Sequence, residues 1–129
     1  MSEKERIIEL WAKNKYAVME HSHEGFIESR EYLKNTRGSY EEFEGIIKGI
    51  IRQPVDKENA LKSLFQVWEM VKKHASPEEK DEMMDGILDY KRNKMSLHEI
   101  KEKLYQFCRT HGIDSLTSTE YFSAIRNKS

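Results

Sequence analysis

The stretch Ser96-Leu97-His98-Glu99-Ile100-Lys101-Glu102-Lys103-Leu104-Tyr105-Gln106-Phe107-Cys108 decides the fold class. It opens on a serine followed three residues later by a glutamate. This is a capping box: the hydroxyl accepts from the backbone amide three residues on, and the carboxylate reaches back to the amide of the serine. Behind it Leu97, Ile100, Leu104, Phe107 and Cys108 recur at three- and four-residue spacing, the period of one helix face. Gly112 follows, where a helix end calls for a left-handed residue.

The same signals recur upstream. Ser76-Pro77-Glu78-Glu79 is a second capping box, with proline at the first helical position, where its missing N–H costs nothing. Ser39-Tyr40-Glu41-Glu42 is another, preceded by Gly38, and Pro54 breaks the chain after Arg52-Gln53. Between these marks Phe43, Ile46, Ile47, Ile50 and Ile51 keep helical spacing, as do Leu61, Leu64, Phe65, Trp68, Val71 and Ala75. Met83, Met84, Ile87 and Leu88 mark another helix. Near the N-terminus Ile7, Leu10, Trp11, Ala17 and Val18 form one stripe, which either continues through Phe26 and Leu33 or breaks near Ser22-His23 or Gly25. No segment alternates with period two over a strand's length. The pattern predicts an all-α, single-domain bundle of five to six helices with short loops over residues 1–129. Ser118 to Phe122 reads as a short docking turn, and residues 123–129 as a frayed tail.

Composition bounds the function. Charged residues are 35% of the chain, yet 22 Lys and Arg face 23 Asp and Glu, a net of −1. That balance excludes a strongly basic nucleic-acid arm and an acidic solvating tail. Leu, Ile, Val and Phe number 28 of 129 residues, just enough to place the chain above the disordered range. One cysteine excludes an internal disulfide framework and an all-cysteine cluster. No run has the length of a signal peptide or a membrane span, so a cytoplasmic location is the expectation.

The informative residues are polar ones placed on apolar stripes. At 100° per residue from Ile7, Asn14 and His21 fall inside the first stripe, with Lys15 and Ser22 on its edge. Lys72 falls between Phe65 and Trp68, Lys91 falls with Met84, Ile87 and Leu88, and His111 continues Leu104, Phe107 and Cys108. A lysine near a helix end ordinarily lays its stem on apolar surface and keeps its ammonium wet, and a last turn favours cations. The alternative is that Lys15, Lys72 and Lys91 converge on one site for an anion such as phosphate. Ion pairs with Glu20 or Glu69 are a third reading.

Other chemistry is thinly represented. Glu20-His21-Ser22-His23 supplies one Glu-x-x-His, where a carboxylate di-metal bundle needs two, so no metal is expected. Cys108 lies on a core stripe and reads as a small apolar filler rather than a nucleophile. No phosphate loop or nucleophile elbow is present, so neither a catalytic residue nor a cofactor is expected. From Lys91 to His111, six cations (Lys91, Arg92, Lys94, Lys101, Lys103 and Arg109) face two acids, with Tyr90 and Tyr105 in or beside the run. A basic face carrying aromatics suits phosphate contact and base stacking, and also suits an ordinary solvated surface.

Three stretches carry a resemblance. Asn14-Lys15-Tyr16-Ala17-Val18-Met19-Glu20-His21-Ser22 is similar to the His-Lys-(three apolar)-Met-x-His-Ser opening of the YbgA-like family of bacterial helical domains. Val67-Trp68-Glu69-Met70-Val71-Lys72-Lys73 leads to Ser76-Pro77-Glu78-Glu79-Lys80, and Tyr90-Lys91-Arg92-Asn93-Lys94-Met95-Ser96-Leu97 is like the family's Tyr-Arg-x-Gly-x-(apolar)-Pro-Leu. The resemblance runs from about residue 11 to residue 122. It implies an all-helical domain of largely unknown function, in many members fused behind a TudS-type domain that desulfurises thiouracil or thiouridine on an iron–sulfur cluster. Here Gln66-Val67-Trp68-Glu69 stands where the family has His-x-x-Gly before its aromatic residue, Asn14 replaces the opening His, and Asn93 and Ser96 replace Gly and Pro.

The combined expectation is a stand-alone module that recognises RNA, with tRNA the first candidate, or another phosphate-bearing ligand. Lys15, Lys72, Lys91 and Arg92 would neutralise phosphate, with Tyr90 and His21 beside them. The alternatives are an adaptor docking on a separately encoded desulfidase or other enzyme through Met70, Val67 or Tyr121, and a small enzyme acting on a phosphorylated metabolite through Lys15 and His21.

Overall fold

The computed structural model describes residues 2–34 and 38–127. Among them the chain is all-α, with no strand. The helices run α1 (Glu3–His21), α2 (His23–Lys34), α3 (Tyr40–Ile51), α4 (Lys57–Lys72), α5 (Pro77–Lys91), α6 (Leu97–Thr110), α7 (Asp114–Thr117), a 3₁₀ turn at Glu120–Phe122, and α8 (Ser123–Arg126). The expected count of five to six is therefore corrected to eight α-helices among the described residues. The surplus comes from the tail, where short helices lack the length to show a period. The frayed tail expected over 123–129 is also corrected for 123–127. Ile125 is buried, and the Arg126 guanidinium donates to the carbonyls of Thr117 and Thr119, both at 2.7 Å. Residues 128–129 lie outside the described residues.

Caps explain most boundaries. Ser76 and Ser96 each form the full reciprocal capping box with Glu79 and Glu99. Ser39 accepts from the Glu42 amide at 3.0 Å, and Ser2 caps α1 by accepting from Glu5 at 3.1 Å. Ser22 decides the break left open by the N-terminal stripe. Its extended backbone ends α1, and its hydroxyl accepts from the Gly25 amide at 2.9 Å to start α2. Gly112 takes the left-handed conformation (φ +66°) expected of it. Gly38 is not left-handed, and a Cβ there would displace the Tyr32 hydroxyl.

The contacts divide the chain into two compact units, residues 1–63 and 64–129. In the first, Ile7, Val18, Phe43, Ile47 and Ile50 form a buried cluster on α1 and α3. Trp11, Phe26 and Tyr32 close around it. Trp11 lies 5.2 Å from Phe26 and 6.1 Å from Phe43, and Tyr32 stacks on Phe43 at 5.2 Å. Gly25 lets α2 approach α3, since a Cβ there would meet Ile50 at 2.9 Å. The Ser63 hydroxyl donates to the Tyr16 carbonyl at 2.6 Å.

In the second unit Trp68 meets Phe107 at 6.4 Å, and Phe122 meets Tyr105 at 5.3 Å and Tyr121 at 4.9 Å. Gly86 admits the Ile100 side chain, which would lie 2.6 Å from a Cβ at that position. His111, on the last turn of the α6 stripe, donates from Nε2 to the Glu79 carboxylate at 2.9 Å and so joins the end of α6 to the cap of α5.

Two features yield stability predictions. Gly45 sits mid-helix and Gly49 in the last turn of α3, both exposed, with open space where a Cβ would go. Glycine inside a helix costs about 1 kcal/mol relative to alanine, and less at a fraying end. Gly45→Ala with Gly49→Ala therefore stabilises the protein by about 1–2 kcal/mol, read as a higher urea midpoint at unchanged slope.

The second concerns acid. The Ser76 amide and then His111 hold the Glu79 carboxyl below its ordinary value of 4.5; the Ser96 amide and hydroxyl do the same for Glu99. A carboxyl depressed in the folded state contributes stability that is present above the unfolded value and lost as pH falls through the folded one. The urea midpoint therefore declines below about pH 4.5. In Glu79→Gln with Glu99→Gln, whose amides still cap, it declines less. Parallel declines in wild type and variant would refute this origin.

Candidate functional site

The polar residues that interrupt the stripes separate into two kinds. Some are satisfied within the fold. Asn14 is buried, and its Nδ2 donates to the Leu10 carbonyl at 2.9 Å. His21 is half-buried, and its Nδ1–H donates to the Gln53 carbonyl at 2.6 Å, which ties the end of α1 to the exit from α3. That bond fixes the tautomer of the neutral ring and leaves Nε2 as its acceptor. Lys15 is half-buried, with its ammonium 5.1 Å from the Tyr16 ring centre.

The others are exposed. On α5 the buried face is Met83, Gly86, Ile87 and Tyr90, while Met84 and Leu88 are 44% and 39% exposed. Lys91 belongs to that outer pair, since residues 84, 88 and 91 share a face. On α4 the buried face runs through Ala60, Ser63, Leu64, Val67, Trp68 and Val71. Lys72 sits on the flank of Leu61 and Phe65, exposed. Placing both lysines inside their stripes came from treating adjacent apolar pairs as equally buried. The ammonium of Lys91 lies 5.7 Å from the Phe65 ring, two turns before Lys72 on the same flank of α4.

What the structure brings together is the α5–α6 turn. Lys91, Arg92 and Lys94 are all exposed there, and none forms an ion pair among the described residues. The backbone beneath them is fixed. Asn93 takes a left-handed conformation (φ 62°), and the amides of Lys94 and Met95 both donate to the Asp89 carbonyl, at 2.7 and 3.2 Å. Asparagine tolerates this conformation better than other side-chain-bearing residues, which accounts for its standing where the resemblance has glycine. Tyr90 is buried at 7% exposure, so its ring belongs to the interior rather than to this surface.

Two of the three remaining cations of the run from Lys91 to His111 are engaged elsewhere. Lys103 pairs with Glu82 at 2.6 Å, and the Lys101 ammonium lies 4.0 Å over the Tyr121 ring, while Arg109 stays exposed on α6. The basic stretch of the sequence is thus concentrated at the turn, with Arg109 apart from it in the chain. Lys15 and His21 belong to the first unit, whereas Lys72, Tyr90, Lys91 and Arg92 belong to the second.

Two further residues bear on chemistry. Cys108 is fully buried, and burial pushes its thiol up to about 12, so it is protonated at neutral pH and serves as core filler. Val67 and Tyr121, expected with Met70 in an apolar docking patch, are buried at 0% and 2% exposure; of the three only Met70 is exposed. Among the described residues, no helix is long and apolar enough to cross a membrane, and no three His, Cys, Asp or Glu side chains gather as a metal ion would require.

No curated protein and no solved structure matches the chain. A family model does, over residues 15–125, and its span covers all three stretches that carry the YbgA-like resemblance except Asn14. On that match the chain belongs to the family described as protein of unknown function DUF1722.

Proposed function

We propose that the chain is a binding module that recognises RNA, with tRNA the first candidate, through contacts to phosphate. The observation that carries this reading is the turn after α5, which holds Lys91, Arg92 and Lys94 exposed and without ion pairs among the described residues, on a backbone fixed at Asn93 and Asp89. Exposed cations on a fixed turn need little reorganisation to meet a polyanion, and arginine adds a planar fork that suits phosphate. Lys72, exposed on the flank of α4 that carries Phe65, adds a further cation within the same unit. Net neutrality argues against strong, indiscriminate binding and is compatible with a small, defined anion site. Fluorescence anisotropy with labelled tRNA at low salt tests the reading. Affinity well above that of a neutral control protein of similar size supports it, and affinity equal to the control's refutes it.

Met84 and Leu88, exposed one turn apart on α5, favour a second reading: an adaptor that docks on a separately encoded desulfidase-type enzyme. Retention of such an enzyme by the immobilised chain after nuclease treatment, lost in Met84→Glu with Leu88→Glu, would establish that role.

A further inference from the structure

A groove in the first unit, about 400 Å³ in volume, is lined by Arg6, Glu9, Leu10, Lys13 and Tyr40. Residues 6, 9, 10 and 13 follow the i, i+3, i+4, i+7 spacing, so α1 presents them on one face. Tyr40, the first residue of α3, forms the opposite wall. The Arg6 guanidinium lies 4.3 Å from the centre of the Tyr40 ring, a cation–π contact that places it at the mouth of the groove. Lys13 and Glu9 are exposed, Leu10 is half-buried, and Arg6, Glu9 and Lys13 form no ion pair among the described residues.

We infer that this groove binds a nucleotide. Arg6 and Lys13 stand two turns apart, about 10 Å along the helix, and their long stems can converge over Leu10 on one phosphate. Arginine supplies two parallel donors and lysine a point charge, a pairing suited to a phosphate dianion. Leu10 offers an apolar seat for a flat ring. The Glu9 carboxylate accepts from a sugar hydroxyl or a base amino group. A simple carboxylate or inorganic phosphate would use the cations and leave the other two features idle. The volume falls in the range of small-molecule sites. None of these residues belongs to the basic turn, so the inference stands apart from the proposed RNA contact.

The test is a titration of the full chain, followed by amide NMR shifts, with AMP, GMP, CMP and UMP, with inorganic phosphate, and with a six-residue oligoribonucleotide. Saturable shifts at Leu10, Lys13 and Tyr40 are expected, weaker with inorganic phosphate than with a nucleotide. A response to mononucleotides assigns the groove to free nucleotides, and a response to the oligonucleotide alone assigns it to an RNA chain. Arg6→Gln with Lys13→Gln, both at exposed positions and checked for an unchanged melting profile, weakens binding at least tenfold. Lys91→Gln with Arg92→Gln and Lys94→Gln leaves mononucleotide binding unchanged. Absence of saturable shifts at the groove with every probe overturns the inference, as does a double variant that binds like wild type. Loss of tRNA binding in the triple variant alone would uphold the basic turn without supporting the groove.

Discussion

Phe43→Ala lowers the free energy of unfolding by about 3–5 kcal/mol, the range for removing a large aromatic side chain from a core. Phe43 is fully buried at the centre of the first unit's apolar cluster. Tyr32 stacks on one side of it at 5.2 Å, and Trp11 meets it at 6.1 Å. Truncation removes the transfer free energy of the ring and leaves a void that three helices would have to move to fill. Two aromatic contacts are lost as well, each worth about 0.5–1.5 kcal/mol. A chain of this size has about 5–15 kcal/mol in total, so the loss is a large fraction of its stability. The control is Ile8→Ala at a position 53% exposed, which changes stability by less than about 0.5 kcal/mol. Urea denaturation reads both. A loss below about 1 kcal/mol in Phe43→Ala would contradict the assignment of this core.

The second large effect concerns binding. Lys91→Gln with Arg92→Gln and Lys94→Gln removes three exposed cations without touching a buried side chain. Each surface charge contact contributes up to about 1 kcal/mol, so the triple variant binds tRNA about tenfold to a hundredfold more weakly at low salt. It also binds with a shallower salt dependence, because each neutralised phosphate contributes about 0.7–0.9 to the slope of log affinity against log salt. Folding is preserved because the turn is held by Asn93 and by the Asp89 carbonyl, neither of which is altered. An unchanged far-UV spectrum and melting profile separate loss of binding from loss of structure.

The helices were legible because their ends are written in short-range chemistry. Ser39, Ser76 and Ser96 announce their caps in four residues, and all three act as caps. Ser22 was less legible, because one serine ends α1 and starts α2 without any change in the apolar period. The tail was illegible for a different reason. Its order comes from Arg126 reaching the carbonyls of Thr117 and Thr119 and from the burial of Ile125, contacts of tertiary structure that no periodicity reports.

The candidate site was legible in part. The sequence placed Lys91 and Arg92 at a helix end, where α5 does end, but set Lys72 and Lys91 within apolar stripes, and both are exposed. Adjacent apolar residues such as Met83 and Met84 look alike on a helical wheel, and the structure buries one and exposes the other. Tyr90, read as stacking on or donating to the ligand, is interior. The Arg6–Lys13 groove went unnoticed because mixed charges on the outer face of α1 resemble an ordinary solvated surface until Tyr40 is brought against them.

The most direct test of the central claim is the salt dependence of tRNA affinity, measured for wild type and for the triple variant of the α5–α6 turn between about 50 and 200 mM monovalent salt. Phosphate recognition by this turn predicts a log–log slope of about −2 or steeper in wild type, reduced by about 2 units in the variant. A flat wild-type slope, or identical slopes for the two proteins, would contradict it.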